Sequence, residues 1–524
     1  LEPLLLVDDA TGAITPVAAQ MGRSGRRRDW WVYPIFSLAV LAWAVLVTAR
    51  HSWAADFRLH LSTVHGLMRN AWNPVDPLVG AVHGSPYYSP YMALLAGITK
   101  LGPAPQAVLE IGGLVSLALW LWAVRRFCRR LSPGPMVPVL VVVFSTALWG
   151  AQDTVWSGFF GLHSLSWNLG YPSTIAAALM FLVWDVFFAY RERAEGWRDP
   201  LALVVLLALV LLIHPFTAVN TLIGVAAFAL ANPRALLDAR SVKLIAAGGA
   251  AVLLALAWPL SNLFDLFSAP KDFDAIHKPL LVGFFHTNGL THYGLALIGL
   301  PALFLARRQP LVRELTVLFL VAVVIVAVAQ QTHHYSLGRV LPVVVLPLHV
   351  ALAACLAHRA DLRRPVRGGY VLITAAACLV GLYANLAGLV RADPWTSNKE
   401  LVRHWGAAAS GSPYDDLLAS IKPGQVLMMD YGKAGRSANA RGAYSVAPGW
   451  PYPFVDEIRR HQDTAAFFSA ATSPAKRLAL ADKYHVDCVT ASASRQLLLA
   501  PGALPGFTQI AQVGQGKIIL LCRG

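Results

Sequence analysis

The sequence predicts a polytopic α-helical membrane protein of about eleven transmembrane helices, ending in a small C-terminal α/β domain. The first observation is composition. The 524-residue chain is 56% hydrophobic and only 14% charged, against about a quarter charged in a soluble globular domain, and its mean hydropathy is +0.54. The second is that apolar runs long enough to cross roughly 30 Å of hydrocarbon recur as far as residue 390. The third is a change of character after residue 391, where short β-like runs alternate with helical stretches and Gly, Pro, Ser and Asn clusters.

Residues 1–30 read as a cytoplasmic N-terminal tail. They lack an early apolar h-region and a cleavage site, so "GRSGRRRD" reads as the flank of an uncleaved first helix. The expected spans are 31–49, 105–124, 134–150, 171–190, 201–213, 216–231, 243–260, 290–306, 315–330, 340–357 and 369–390. The pair 201–213 and 216–231 is short and joined by a tight turn at His214–Pro215, so two spans and a re-entrant hairpin both remain open. Charge placement tests the topology independently. Connections assigned to the cytoplasm are basic, as in Arg125, Arg126, Arg129 and Arg130, or Arg359, Arg363, Arg364 and Arg367. The opposite connections are poorer: 151–170 has no Lys or Arg, and the loop before 340–357 has only Arg339. The formal net charge of +15 therefore reads as a topology signal. Nucleic acid is not an expected partner; the lipid bilayer is.

This divides the chain into the tail, a transmembrane domain over 31–391 with outer loops 50–104, 151–170, 261–289 and 331–339, and an extracytoplasmic α/β domain over 392–524. In the last, "GQVLMMD", "HVDCVTAS" and "GKIILLC" read as strands, and 456–470 and 474–485 as helices. No GxGxxG or GxxxxGK[ST] occurs there, which removes the usual nucleotide signatures. The five cysteines show no metal-ligand spacing. Cys488 and Cys522 share the C-terminal region, and their spacing leaves a disulfide open.

Ionisable residues within the expected spans are scarce, chiefly Glu110, Asp185 near a cytoplasmic end in reach of water, and His349, which reads as a packed interhelical hydrogen bond. A proton-coupled transporter needs acid or His relays at mid-membrane depth. The polar residues lie in the outer loops instead. Loop 50–104 holds Asp56, Arg58, His60 and His65, followed by Tyr87 and Tyr88, where an amphipathic interfacial helix is expected. Loop 151–170 adds Asp153 and His163, loop 261–289 adds Lys278 and His286, and 331–339 adds His333, His334 and Arg339. A carboxylate can act as general base on a hydroxyl, and cations can hold a phosphate and stabilise it as a leaving group. Together they suggest group transfer from a lipid-linked phosphate to an acceptor hydroxyl.

In these features the sequence resembles the GT-C class of integral-membrane glycosyltransferases. The resemblance rests on the acidic residue after the first span in "ADFRLH", on "NPVDPLVG" and "SPYYSPYMALLAGITKLG" in the long loop, on "GRVLPVVVLPLHVALA", and on the terminal "ADKYHVDCVTAS" and "GKIILLC". It implies a polyprenyl-phosphate-sugar donor and a glycan, glycolipid or protein acceptor, joined on the outer face of a bacterial inner membrane. Asp56 would be the catalytic base. Arg339 would bind the donor phosphate, with His333, His334, Arg58 and Lys278 as further phosphate-binding candidates. His60, Tyr87, Tyr88, Asp153 and His286 would be substrate-binding candidates. Where many members carry a paired acidic motif, Asp56 is followed by Phe57, and no WWDYG-like motif occurs. No cofactor is implied, and a lone carboxylate does not point to a divalent metal.

Each candidate also has a plainer reading. Asp56 could cap a helix, Arg339 could snorkel to headgroups, and "APGWPYPF" could be a structural turn. The expected function is an inverting, lipid-phosphosugar-dependent transferase of cell-envelope glycan or glycolipid assembly. The alternatives are a lipid or polysaccharide transporter and a non-catalytic envelope-assembly protein.

Overall fold

The computed structural model describes residues 5–7, 14–16, 31–49, 56–150, 156–193, 196–233, 239–261, 264, 274–282, 285, 289–357, 364–390, 417–430, 432–492, 503–513 and 518–524. A short antiparallel hairpin, β1 (Leu5–Val7) and β2 (Ile14–Pro16), precedes the helices. The helices then run α1 (Val32–Ala49), α2 (Phe57–Arg69), α3 (Pro90–Thr99), α4 (Pro105–Cys128), α5 (Met136–Ala147), α6 (Leu162–Asn168) and α7 (Pro172–Arg193). They continue with α8 (Arg198–Ile213), α9 (Pro215–Leu230), α10 (Ala239–Leu256), α11 (Pro310–Thr332), α12 (Leu341–Ala357) and α13 (Arg364–Ala384). A broken apolar segment, Gly289–Leu305, precedes α11.

Each expected span coincides with a helical segment. Among the described residues, six helices are long and apolar enough by themselves to cross a membrane. The 16-residue helices α8 and α9 reach only about 24 Å each at 1.5 Å per residue. Between them His214 is indeed a turn residue, and its Nδ1 accepts from the Thr217 backbone N–H at 3.2 Å to cap α9. Helix α12 is buried from Leu341 to Cys355 and forms the centre of the bundle. Inside it His349 Nε2 donates to the Leu148 carbonyl at 3.0 Å, the interhelical bond expected of it. Asp185 corrects the reading from sequence. It is buried rather than in water, and Arg126 Nε and Arg130 Nε hold its carboxylate at 2.5 and 2.7 Å.

The first long loop is not a surface excursion. Its helix α2 is buried over Phe57–Leu61 on every side, which a free amphipathic helix would not be. In α3, Ser89 caps the first turn by accepting from Met92 N at 3.3 Å, and Pro90 occupies the N-terminal position that a proline suits. Tyr91, Met92, Leu95 and Ala96 of α3 pack inward with Leu61, Val64 and Leu67 of α2.

What covers the other side of α2 is the C-terminal domain. Its five-stranded sheet has the order β4 (Tyr444–Ser445), β3 (Val426–Met429), β5 (Cys488–Ser492), β7 (Ile518–Arg523), β6 (Phe507–Val513). The first three strands are parallel and the last two antiparallel. Helix α14 (Gly432–Ala440) links β3 to β4; α15 (Glu457–Phe467) and α16 (Pro474–Lys483) lie between β4 and β5. Cys488 and Cys522, directly opposite in the β5–β7 register, are joined by a disulfide. This settles the pairing left open by spacing. Cys488→Ala is expected to cost about 2–4 kcal/mol of domain stability, read as a lowered unfolding temperature that reducing agent reproduces in the unmutated protein. An unchanged unfolding temperature would show the bond to be dispensable.

Candidate active site

The C-terminal domain docks on the first long loop through an apolar cluster of Leu59, Leu78 and Val79 against Trp450 and Tyr452. Polar contacts fix its register. Asn439 Nδ2 and the Ser445 backbone N–H both donate to the Leu78 carbonyl, at 2.9 and 2.7 Å. Arg58 Nη1 donates to Ser437 Oγ at 3.1 Å. Arg69 donates to the Gly442 carbonyl and lies 4.4 Å over the Tyr444 ring. Two glycines permit the approach: at Gly80 (φ +68) a Cβ would stand 2.6 Å from the Tyr444 ring, and at Gly442 (φ +79) 3.1 Å from His65.

Also buried in this junction is Asp76 of the "NPVDPLVG" segment, 2% exposed. Its carboxylate accepts from Leu78 N and Val79 N at 2.9 and 3.0 Å and from the Tyr452 hydroxyl, which also meets Ser85 Oγ at 2.8 Å. Burial pushes its pKa up, and these hydrogen bonds oppose that rise. Tyr452→Phe removes one donor from a buried carboxylate, at an expected cost of about 1–3 kcal/mol. The check is the unfolding temperature of the full chain in detergent; no change would mean that Asp76 finds another donor.

Asp56 stands at the start of α2. Its carbonyl accepts from His60 N at 3.0 Å and so opens the helix, but its side chain makes no capping hydrogen bond. The plain reading of Asp56 as an N-cap therefore fails. The carboxylate instead experiences the charges of Arg436, from α14 of the C-terminal domain, and of Arg339, from the membrane bundle. Burial raises its pKa above the ordinary carboxylate range; the two guanidinium groups and the Trp450 indole N–H work to lower it. Trp450 Nε1 acts on the carboxylate without forming a hydrogen bond of ordinary geometry. Asp56 as a residue is half-buried.

Arg339 lies in a short 3-10 turn, Tyr335–Val340, ahead of α12 and is 6% exposed. The loop around Asp274 holds this turn. The Asp274 carboxylate accepts from Tyr335 N and Ser336 N, both at 2.7 Å. Burial would raise the Asp274 pKa, but these bonds outweigh it and hold the carboxyl below its ordinary value. Arg339 donates to Ser157 Oγ, its carbonyl accepts from Asn220 Nδ2 at 3.1 Å, and its guanidinium lies between the Trp156 and Phe216 rings, 5.1 and 4.7 Å from their centroids. This is a fixed, inward-facing cation rather than one extended to headgroups.

Aromatic rings line the space between these charges. Tyr87 interacts electrostatically with both Asp56 and Arg339, and stacks on Tyr452 of the C-terminal domain at 6.1 Å. His60 meets Tyr87 and Tyr171 edge-on, at 6.3 and 5.0 Å. Burial lowers the His60 pKa to about 3, so its ring is neutral at pH 7.

The structure thus brings together Asp56, His60, Tyr87 and Arg339 of the residues singled out from sequence. It places others elsewhere. Arg58 turns to the C-terminal domain. Tyr88 is fully buried, with its hydroxyl on the Val75 carbonyl. His333 and His334 are exposed at the end of α11, where His333 adopts φ +59 and meets the Tyr335 hydroxyl at 3.1 Å. Lys278 is exposed, 5.9 Å from the Tyr335 ring. Asp153 and His286 lie outside the described residues. Missed from sequence were Arg436 and Trp450. The first sits in the glycine-rich "GKAGRSANA" after a strand, and the second in the aromatic "APGWPYPF" read as a turn.

Asp56 already faces two guanidinium groups, and among the described residues no three His, Cys, Asp or Glu side chains converge.

No protein-family model matches the chain, and no curated protein does. Solved structures do. The oligosaccharyltransferase of Archaeoglobus fulgidus, tethered to an acceptor peptide, superposes with a TM-score of 0.50 at 13% identity, over 95% of this chain and 75% of that one. Its apo form gives 0.50 at 13%, over 92% and 73%. The arabinofuranosyltransferase AftD from Mycobacteria gives 0.55 at 14%, over 93% of this chain and 41% of its own length. This chain shares its fold with these two proteins, which are integral-membrane glycosyltransferases of the GT-C class.

Proposed function

We propose that the chain transfers a sugar, with inversion, from a polyprenyl-phosphate donor to an acceptor hydroxyl, on the outer face of a bacterial plasma membrane and in cell-envelope glycan or glycolipid assembly. One observation carries this reading: a half-buried carboxylate whose side chain caps no helix and which feels the charges of a membrane-side and a domain-side arginine. Asp56 takes the proton of the acceptor hydroxyl, whose oxygen attacks the anomeric carbon from the face opposite the phosphate. The bond from that carbon to the phosphate oxygen breaks, its electron pair leaves with the phosphate, and Arg339 neutralises the departing charge. Arg436 holds Asp56 in its ionised form until the proton arrives.

The proposed division of the chain follows: 31–391 houses the donor, and 392–524 closes the junction over the acceptor. The disulfide supports an outer location for that second part, since such bonds persist in oxidising compartments. Basic helix ends, such as Arg125 and Arg126 in the last turn of α4, support a cytoplasmic side opposite to it.

The test is sugar transfer by the full chain in nanodiscs, across polyprenyl-phosphate donors of mannose, arabinofuranose and glucose. Transfer from one of them is expected. Lipid or glycan translocation without any transfer would favour the transporter and overturn the proposal.

A further inference from the structure

The C-terminal domain carries a cavity that the reaction above does not use. In its sheet, β3 connects through α14 to β4 on one side, whereas β4 connects through α15 and α16 to β5 on the other. The connections therefore reverse direction at the β3–β5 boundary. Parallel sheets gather ligands outside the carboxyl ends of their strands at such a point. There lies a cavity of ≈ 240 Å³, lined by Asp430, Gly432, Gly435, Ala447, His461 and Phe468 among others.

We infer that this cavity binds one unit of an uncharged saccharide acceptor, holding it so that the chain runs past Arg436 to Asp56. The inference rests on the transferase reading and names its acceptor class. The lining offers donors and acceptors together. Asp430 is fixed by Ser492, whose backbone N–H and Oγ donate to its Oδ2 at 2.9 and 2.8 Å, and a carboxylate has further lone pairs for ligand hydroxyls. The first backbone N–H groups of α14 have no partner within the helix and can donate. The exposed His461 ring, 3.7 Å from Glu457, supplies either function. Thr464 also lines the cavity, and its Oγ1 is buried without a hydrogen-bond partner. Phe468 forms an apolar side against which the carbon skeleton of a sugar can pack. The Asp430 carboxylate disfavours a phosphate-bearing ligand. The volume is small beside the about 300–1,000 Å³ of drug-sized sites, a fit for one ring.

The path to the catalytic junction is short in the chain. Gly435 precedes Arg436, and Pro448, another lining residue, precedes Gly449, whose carbonyl accepts from Arg436 Nε at 2.7 Å. The cavity wall and the arginine that acts on Asp56 are therefore consecutive residues on α14, and the segment after Pro448 bonds that same arginine.

Gly435→Leu tests this directly. A Cβ there would meet Met429 Cε at 3.5 Å, an ordinary contact, so the helix can accept the substitution while the rest of the leucine fills the cavity. Binding of trimers of mannose, arabinofuranose and glucose is measured by saturation-transfer NMR on the full chain in nanodiscs, for wild type, Gly435→Leu, His461→Ala and Asp56→Asn. One trimer is expected to bind wild type and Asp56→Asn alike, and to lose about tenfold or more in affinity in Gly435→Leu, with a smaller loss in His461→Ala. Equal binding to wild type and Gly435→Leu, or no binding of any trimer, overturns the site. Sugar transfer is followed in the same preparations. Transfer without binding at the cavity removes this inference alone; binding at the cavity without transfer from any donor removes its role as an acceptor site.

Discussion

Asp56→Asn is expected to lower sugar transfer by on the order of a hundredfold or more. Asparagine keeps the size and polarity of the side chain and removes only its ability to take a proton. Because the Asp56 side chain caps no helix, the substitution gives up no N-terminal hydrogen bond of α2. It also removes a charge whose partial desolvation is unfavourable, so the folded protein should be at least as stable as wild type. Activity should therefore collapse while the unfolding temperature holds. A parallel loss of both would return Asp56 to a structural role.

Arg339→Gln is expected to have a comparable effect, on the order of a hundredfold or more in kcat/KM for the donor, the scale of losing one group that stabilises developing charge. The guanidinium is placed by Ser157, Trp156 and Phe216, and its backbone by Asn220 and by the Asp274-anchored turn. Its geometry thus comes from three other chain segments, at 156–157, at 216–220 and at Asp274. Lysine should rescue poorly, because an ammonium cannot reproduce a planar fork held between two rings. Initial rates against donor concentration separate the outcomes. A raised donor KM with a lowered kcat is expected; a change in acceptor KM alone would place Arg339 on the wrong substrate.

The bundle was legible because recurring apolar runs report bilayer physics directly, residue by residue. Strands such as Val426–Met429 and helices such as Pro474–Lys483 were likewise visible from local pattern. What sequence could not show was docking. Asp56 and Arg436 are hundreds of residues apart, and only the fit of Leu78, Tyr452 and the two glycines at 80 and 442 brings them together. Trp450 lay in an aromatic stretch that looks the same whether it forms a turn or an interface. Arg58, two residues beyond Asp56, shared its motif, but its guanidinium bonds Ser437 of the docked domain, a contact that only the fold brings about. His333 and His334 were grouped with Arg339 by sequence proximity, yet the chain reverses at the left-handed His333 before the 3-10 turn begins.

In the proposed mechanism the membrane bundle and the C-terminal domain build one site around Asp56. The pH dependence of sugar transfer, compared between wild type and Arg436→Gln, tests it most directly. A base works deprotonated, so burial of Asp56 should put the acid limb of the profile above the ordinary aspartate value of about 4. Arg436 pulls that pKa down, so removing its charge should move the acid limb to still higher pH. An acid limb that does not move in Arg436→Gln would contradict the shared site.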